Sequence, residues 1–246
     1  MWGVIPAAGQ GTRIQPLAFS KELLPVGMRR EAGSERPRAV SEYLVERLSR
    51  GGATKICFVI SPHKTDILRY YGDQLEGVAF AYVVQPRAAG LCDALFRAAP
   101  LIGADEPVAV GLPDTIWFPE DGLARLPDER FSFLTFPVEA PQNFDAVLAG
   151  PDGRIREIRV KARRPGSNWI WGAFKAPGRI FHELHALWLA RGCEDEYLGT
   201  LVNAWIAQGG EAWNAPFGAG YVDVGTLHGY REALALLGGE GAAARR

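Results

Sequence analysis

The apolar positions of the chain fall into two alternating patterns. Short apolar runs, typical of buried strands, occupy residues 2–6, 55–60, 78–84 and 107–112. Between them, apolar residues recur every three or four positions at 41–50, 65–71 and 89–98, and this spacing predicts amphipathic helices. Strands that alternate with helices favour a largely parallel sheet with helices on its faces, so this half predicts an α/β fold.

The second half of the chain has a less regular pattern. Strand-like runs lie at 131–138, 146–148, 155–160, 169–174 and 221–224, and helical spacing is seen at 179–191 and 196–208. Ser41 and Thr226 each stand at the start of a predicted helix, and both residue types are common N-terminal caps. The Gly- and Ala-rich end of the chain, 238–246, predicts a flexible tail.

One stretch concentrates charge outside any predicted element. Residues 28–39 hold four arginines and two glutamates. Charge runs of this kind are usually solvated, so the stretch predicts an exposed, mobile loop. A phosphate-binding lid is the alternative that the same arginines allow.

Composition and charge narrow the class of protein. With 246 residues, 48% of them hydrophobic, the chain suits one large α/β domain with a sizeable core. Its formal net charge of -1 gives no reason to expect nucleic acid or an anionic membrane as a partner. The three cysteines lack any CxxC pairing, which favours a reducing cytoplasm over a disulfide framework or a zinc site.

A glycine-rich segment directly follows the first strand. It reads Ala8-Gly9-Gln10-Gly11-Thr12-Arg13. Glycines let backbone N–H groups approach phosphate oxygens closely, and an arginine adds a forked phosphate donor. Lys21 follows and adds a compact positive charge. The segment is neither a Walker A loop, which needs GK[ST], nor a dinucleotide fingerprint, because position 14 is isoleucine.

Two aspartates stand at the ends of apolar strands. Asp114 ends the run Val-Ala-Val-Gly-Leu-Pro-Asp, and Asp223 lies within Tyr-Val-Asp-Val-Gly-Thr. Ligands of open α/β sheets bind at strand ends, where two carboxylates brought together could hold Mg²⁺ with help from substrate phosphates. Each aspartate alone is equally compatible with a helix cap or a turn.

At these residues the chain resembles the sugar-1-phosphate nucleotidylyltransferases, especially their thymidylyl- and uridylyltransferase branch. Its motifs are GxGTRxxPL over residues 9–17 and Lys21 followed by Leu-Leu-Pro-Val at 23–26. The resemblance implies a Rossmann-like nucleotidyltransferase domain over 1–237, with a mixed, mostly parallel central sheet flanked by helices. It further implies a nucleotide-binding half over about 1–115 and an acceptor-binding half over about 116–237.

The resemblance also implies roles for individual residues. A nucleoside triphosphate, dTTP or UTP, would bind the segment of residues 8–13, with Arg13 on the triphosphate and Lys21 on the α-phosphate. Gln85 and Gly90 fall in the family's base-recognition segment, and Gln85 would offer the base one donor and one acceptor. Asp114 and Asp223 match the two Mg²⁺ positions. Nucleotidyl transfer to a sugar 1-phosphate, with release of pyrophosphate, is the implied reaction.

The acceptor half departs from the family pattern. The family places Glu-Lys-Pro on the strand facing the sugar, and this chain has Val160-Lys161-Ala162, which keeps the phosphate-binding lysine but loses the carboxylate. A Tyr-Gly pair of the family is Phe144-Asp145 here. With Trp171 as a further wall, these changes predict an acceptor other than ordinary glucose 1-phosphate, such as an amino-substituted sugar phosphate bound by Asp145.

Three alternatives stay open at this point. One is cytidylyl or other nucleotidyl transfer to a non-glucose or non-sugar phosphate, and another is a catalytically silent nucleotide sensor. A sensor does not need both aspartates together with Arg13 and Lys21. A glycosyltransferase of similar fold is the third, but it has no need of GxGTR followed by lysine. The acceptor's identity and a homo-oligomeric partner are left open by the sequence.

Overall fold

A computed structural model of the chain describes residues 1–31 and 33–238. Apart from residue 238, the predicted flexible tail therefore lies outside the described residues. Within them, no helix combines the length and the apolar character needed to cross a bilayer.

The described residues form fourteen strands and six α-helices. The strands are β1 (Trp2–Pro6), β2 (Pro25–Glu31), β3 (Ser34–Ala39), β4 (Lys55–Ile60), β5 (Gln74–Leu75), β6 (Val78–Val84), β7 (Val108–Gly111), β8 (Thr115–Phe118), β9 (Phe131–Pro137), β10 (Asp145–Ala149), β11 (Ile155–Val160), β12 (Trp169–Ala176), β13 (Ala212–Ala215) and β14 (Gly220–Asp223). The helices are α1 (Val40–Arg50), α2 (Thr65–Tyr71), α3 (Gly90–Phe96), α4 (Gly178–Ala190), α5 (Leu198–Ala207) and α6 (Leu227–Gly238).

The main sheet is mixed, with a parallel centre. Its strand order is β11-β10-β12-β7-β1-β4-β6-β5, and β9 and β13 extend it from β12. The four central strands β7, β1, β4 and β6 run parallel. Strand β12 runs antiparallel to β7, β9 and β10. Because the carboxyl ends of parallel strands meet at one edge, the loops after β1, β4, β6 and β7 lie together there.

Two apolar cores cover the two faces of this sheet. Successive residues of the central strands point to opposite faces, so Val4 and Cys57 enter one core, and Ile5 and Phe58 enter the other. Helices α3, α4 and α5 close the first core, and α1 and α2 close the second. Burial on both faces explains why these strands are continuous apolar runs, and it confirms the predicted α/β architecture.

A third, smaller core holds the remaining elements together. The antiparallel pairs β8–β14 and β2–β3 stand apart from the main sheet. Leu24 and Val26 pack there with Val222, Val224 and residues of α1 and α6. The segment that follows Lys21 and the strand that carries Asp223 therefore share one packing unit.

The charged stretch 28–39 is not a loop, so that prediction is wrong. Except for residue 32, which is not described, it lies in the β2–β3 hairpin. Arg29 and Arg36 bind the buried carboxylate of Glu42, and Arg38 binds Glu46. The acids that neutralise these arginines lie on α1, beyond the stretch itself, and a local reading of charge does not include them. The side chain of the fourth arginine, Arg30, is 86% exposed and pairs with Glu35 within the hairpin.

Of the two predicted helix caps, one is confirmed and one is wrong. The Thr226 hydroxyl accepts a hydrogen bond from the Gly229 N–H at 3.0 Å, directly before α6. Ser41 instead lies inside α1, and its hydroxyl donates to the Glu22 carbonyl at 2.7 Å. The free N–H group of Ala39 is bound by the Glu42 carboxylate, so another side chain takes the role expected of Ser41.

The outer strand β11 has its free edge partly covered. Asn203 of α5 accepts from the Ile158 N–H and donates to the Ile158 carbonyl, both at 2.8 Å. These bonds replace those that a further strand would make.

We predict that Gly229→Ala destabilises the fold, although alanine normally favours a helix interior. A β-carbon at Gly229 would lie 1.9 Å from the Asp223 carbonyl oxygen. Urea denaturation should show a loss of about 1–3 kcal/mol in the free energy of unfolding. The control is Gly103→Ala, whose β-carbon meets no atom closer than 3.5 Å. Equal stability of the two variants would contradict the close packing of α6 against β14.

Candidate active site

The two strand-end aspartates come together, as the sequence predicts. Asp114 follows β7 at the carboxyl edge of the parallel strands. Asp223 ends β14, which pairs with β8 directly after Asp114. The Val224 N–H donates to the Asp114 carbonyl at 2.8 Å. This backbone link fixes the two aspartates side by side.

Gly225 leaves a gap between the two carboxylates. A β-carbon there would lie 2.5 Å from Asp114 Oδ2, 2.9 Å from Asp223 Oδ1 and 3.2 Å from Arg13 Nη2. Any larger residue would therefore displace the carboxylates. The Gly225 N–H also donates to Asp223 Oδ1 at 3.0 Å and orients that carboxylate.

Each aspartate is paired with one of the predicted phosphate-binding cations. Lys21 Nζ lies 2.5 Å from Asp114 Oδ2, and their side chains are only 13% and 10% exposed. Arg13 Nη1 lies 2.7 Å from Asp223 Oδ2, and the Arg13 side chain is 59% exposed. The site thus holds two buried or half-buried ion pairs side by side, with Arg13 on the solvent side.

The inner pair is charged on both sides at neutral pH. Burial opposes the ionised form of Asp114, but the Lys21 ammonium outweighs it and holds the pKa of Asp114 below its ordinary value. Burial likewise opposes the charge of Lys21, and Asp114 outweighs it, so the pKa of Lys21 is raised. Each charge therefore keeps the other ionised.

The glycine-rich loop after β1 faces open space. Gly11 has φ +66°, and a β-carbon there would lie 2.8 Å from the Lys21 side chain, so both conformation and space require glycine. Gly9 is exposed, and a β-carbon there would meet nothing within 4 Å. The fold itself does not require glycine at position 9, which leaves room for a ligand above the backbone. Ala8 is buried beneath the loop, and Thr12 is exposed on it.

Gln85 is held by contacts within the fold. Its amide nitrogen donates to the Gly90 carbonyl at 3.1 Å and to Asp93 Oδ2 at 2.7 Å. Both partners only accept here, so both N–H groups of Gln85 are engaged, and its contact with a base stays a prediction. The carbonyl oxygen is the group that remains for a base. Gly90, at φ +90°, packs against the backbone of Glu196, where a β-carbon would lie 2.6 Å from Cα.

The predicted acceptor residues also lie together. Asp145 and Val160 pair across β10 and β11, and the Trp171 indole donates to Asp145 Oδ2 at 3.3 Å. Lys161 has a left-handed backbone, φ +43°, and its N–H donates to the Phe144 carbonyl at 3.0 Å. Its ammonium lies 4.7 Å from the ring centre of Tyr197. Burial raises the pKa of Asp145, although the hydrogen bond from Trp171 and the presence of Lys161 act to lower it.

Tyr221 belongs to the site, and the sequence analysis did not single it out. Burial, followed by the charges of Asp223 and Asp114, raises the pKa of Tyr221 well above its ordinary value. Its ring packs 5.8 Å from that of Phe144, next to Asp145. Tyr221 thus lies between the two groups of site residues. Its position two residues before Asp223 was the available signal, because alternate strand residues share a face.

The paired carboxylates fit a magnesium ion that arrives with a nucleotide. Mg²⁺ prefers oxygen ligands and is commonly held by one or two carboxylates plus substrate phosphates. Asp114 and Asp223 supply such oxygens on both sides of the Gly225 gap. Over residues 1–31 and 33–238, no group of three or more His, Cys, Asp or Glu residues could hold a metal ion by itself.

Comparisons with known proteins identify the family. Residues 2–238 match the family model described as nucleotidyl transferase. The glucose-1-phosphate thymidylyltransferase of Mycobacterium tuberculosis (strain H37Rv) is 30% identical over 247 residues, which cover 95% of this chain and 81% of that protein. The UTP–glucose-1-phosphate uridylyltransferase of Haloferax volcanii is 29% identical over 192 residues, 75% of each chain.

The fold is shared with solved structures as well. A UDP-glucose pyrophosphorylase complexed with UDP-glucose superposes with a TM-score of 0.77 at 21% identity, over 96% of this chain and 97% of the other. The likeness confirms the Rossmann-like fold. Because the family model spans residues 2–238 and a relative at 30% identity covers 95% of the chain, this protein belongs to the nucleotidyl transferase family, where its relatives include glucose-1-phosphate thymidylyl- and uridylyltransferases.

Proposed function

We propose that this protein transfers a nucleotidyl group from dTTP or UTP to a sugar 1-phosphate and releases pyrophosphate. The observation that carries the proposal is the meeting of two carboxylates and two cations at the Gly225 gap, beside an open glycine-rich loop. Few other reactions need this combination, which suits a metal-bound triphosphate. Nucleoside triphosphates are cytoplasmic metabolites, so the proposal places the reaction in that compartment.

In this reaction, an oxygen of the acceptor phosphate attacks the α-phosphorus of the nucleotide in line. The bond from the α-phosphorus to the bridging oxygen breaks, and pyrophosphate leaves with that oxygen. Positioning and charge neutralisation provide most of the catalysis in such transfers. Arg13 neutralises the triphosphate, Lys21 the α-phosphate and Lys161 the acceptor phosphate.

Binding of the nucleotide requires the ion pairs to exchange partners. Lys21 and Arg13 would leave the aspartates for phosphate oxygens, and the freed carboxylates of Asp114 and Asp223 would hold the ion. Mg²⁺ at this position would supply Lewis-acid stabilisation of charge on the phosphates. The exchange takes place on binding, so the charged groups are in position before the transfer step begins.

The base preference of the proposal depends on the carbonyl oxygen of Gln85. Its amide nitrogen is held by Gly90 and Asp93, and the carbonyl oxygen can accept a hydrogen bond. Uracil and thymine carry an N3–H that this oxygen could accept, whereas N3 of cytosine is an acceptor and only its exocyclic amino group donates. A contact at N3 would therefore favour UTP or dTTP over CTP.

The acceptor in the proposal is a modified sugar 1-phosphate. Asp145 is a half-buried carboxylate that accepts a 3.3 Å hydrogen bond from Trp171, and the backbone and charge of Lys161 also stabilise its ionised form. The Lys161 ammonium itself lies over the Tyr197 ring. A half-buried carboxylate that forms no side-chain ion pair with any described residue is suited to bind a cationic or donating group of a ligand. An amino-substituted sugar offers such a group.

The proposed reaction is tested with a matrix of nucleoside triphosphates and sugar 1-phosphates in Mg²⁺, read by pyrophosphate release. We expect dTTP or UTP to exceed ATP, GTP and CTP by about tenfold or more in kcat/KM. Asp114→Asn should lose about 10²-fold in kcat, because an amide neutralises little of the cation's charge. Thermal unfolding of this variant checks that removing the buried partner of Lys21 leaves the fold in place. A purine preference would contradict the base assignment, and no release with any pair would contradict the reaction.

The Gly225 gap gives a second prediction. Gly225→Ala should weaken Mn²⁺ binding in the presence of nucleotide, measured by water proton relaxation, and lower kcat, since its β-carbon collides with both carboxylates. The control on the preceding strand is Gly220→Ala, whose β-carbon would meet its nearest atom at 3.9 Å. If both variants bind Mn²⁺ like wild type, the gap is not the metal position.

The acceptor prediction uses Asp145. Wild type should prefer 2-, 3-, 4- or 6-amino sugar 1-phosphates over glucose 1-phosphate, and Asp145→Gly should lose this preference. Loss of a hydrogen bond to a charged group costs about 1.5–3 kcal/mol, which corresponds to about 10- to 100-fold in kcat/KM. Asp145→Asn keeps the size of the side chain but removes its charge, so this variant separates the effect of the charge from the effect of the shape. A wild-type kcat/KM above about 10⁴ M⁻¹s⁻¹ with glucose 1-phosphate would contradict the remodelled pocket.

A further inference from the structure

A second ion pair lies directly behind the Lys21–Asp114 pair. Lys64 Nζ lies 2.7 Å from Glu22 Oε1 and 2.8 Å from Glu22 Oε2. Glu22 is completely buried, and the Lys64 side chain is 11% exposed. Because Glu22 follows Lys21 in one 3₁₀ turn, Lys21–Leu23, the two side chains leave the same turn in different directions.

The turn that carries Lys21 is fixed to the start of α2. Both the N–H and the hydroxyl of Ser20 donate to the carboxylate of Asp66, each at 2.7 Å. Lys64 and Asp66 flank Thr65, the first residue of α2. Residues at the start of α2 therefore hold the turn on both sides of Lys21. Asp66 binds Ser20 before it, and Lys64 binds Glu22 after it.

The charges around Lys21 alternate in sign. In order they are Lys64, Glu22, Lys21, Asp114, Arg13 and Asp223. Burial is the largest influence on both members of the Lys64–Glu22 pair, and it raises the pKa of Glu22 and lowers the pKa of Lys64. Glu22 also acts electrostatically on Lys21. If Lys64 lost its charge, the buried Glu22 carboxylate would have to take a proton or another cation, and Lys21 is the neighbouring cation within reach.

We propose that Lys64 is a positioning residue for Lys21, because by neutralising Glu22 it keeps the Lys21 ammonium directed to the Asp114 side of the site. This role goes beyond the transfer reaction itself, although its effect on turnover rests on the proposed contact between Lys21 and the α-phosphate. Lys64 acts through Glu22, and it touches neither the nucleotide-binding loop nor the paired aspartates among the contacts of the described residues.

The test is a charge cycle on Lys64 and Glu22. Lys64→Met should lower kcat by about 10- to 100-fold, the effect of misplacing a catalytic group by about 1 Å. The KM for the nucleotide should change much less, because Arg13 and the loop are untouched. Lys64→Met with Glu22→Gln should recover most of the lost kcat, since the competing charge is gone. Lys64→Arg should retain turnover.

A control ion pair lies at the other end of β4. Lys55 pairs with Glu106 at 2.6 Å, at the edge where the parallel strands begin and thus opposite the site, and the two side chains are 38% and 37% exposed. Lys55→Met, alone or with Glu106→Gln, should leave both kcat and KM unchanged. Thermal unfolding is measured for every variant. If Lys64→Met does not fold, Lys64→Gln, which keeps a hydrogen-bond donor without the charge, takes its place.

A spectroscopic readout keeps this inference separate from the proposed reaction. In ¹³C-lysine-labelled protein, the Cε resonance of Lys21, assigned with Lys21→Arg, should shift in Lys64→Met and return in the double variant. This holds whether or not any tested substrate pair is turned over. An unshifted Lys21 resonance in folded Lys64→Met, or a double variant no closer to wild type than the single, would overturn the proposal.

Discussion

The buried contact between Lys21 and Asp114 is the interaction on which the rest of the site depends. A carboxylate at this depth is stable only beside a positive charge, and the lysine is stable there only beside the carboxylate. Their pairing requires a glycine at position 11, where the Lys21 side chain passes the loop, and a glycine at 225, where the two aspartates meet. The two glycines and both aspartates are thus tied to this one buried contact.

Sheet topology explains why the sequence predicts that the two aspartates lie together. Asp114 and Asp223 could be placed together because strand ends of an α/β sheet share one edge, and Lys21 and Arg13 followed from the motifs. The partner of each charge was not predictable, since Lys21 and Asp114 are 93 residues apart in the chain. The contacts of the Gln85 amide with Gly90 and Asp93 are local, but side-chain geometry fixes them, and the residue pattern does not show them.

Elsewhere, tertiary contacts override local patterns. Residues 28–39 read as a solvated loop until the acids of α1 are placed beside their arginines. Ser41 has the residue type of a cap but is used to bind a carbonyl of the Lys21 turn. Strands β8 and β13 have four residues each, too short for a periodic pattern to develop. Strands β1 and β4 were predicted correctly because both of their faces are buried. Their continuous apolar pattern therefore does not depend on any one contact with a residue far along the chain.

Asn203 has a consequence for how this protein can change through evolution. The proposed acceptor residues Asp145 and Val160 lie on β10 and β11, at one side of the sheet, whereas Asp114 follows the central strand β7 and Asp223 ends β14. An outer strand tolerates substitution because it has fewer neighbours, but an uncovered one invites association with other chains and aggregation. By binding the Ile158 backbone on the free side, Asn203 removes part of that hazard. Substitutions at the proposed acceptor residues can therefore accumulate on these strands while part of the free edge stays protected and the paired aspartates are untouched.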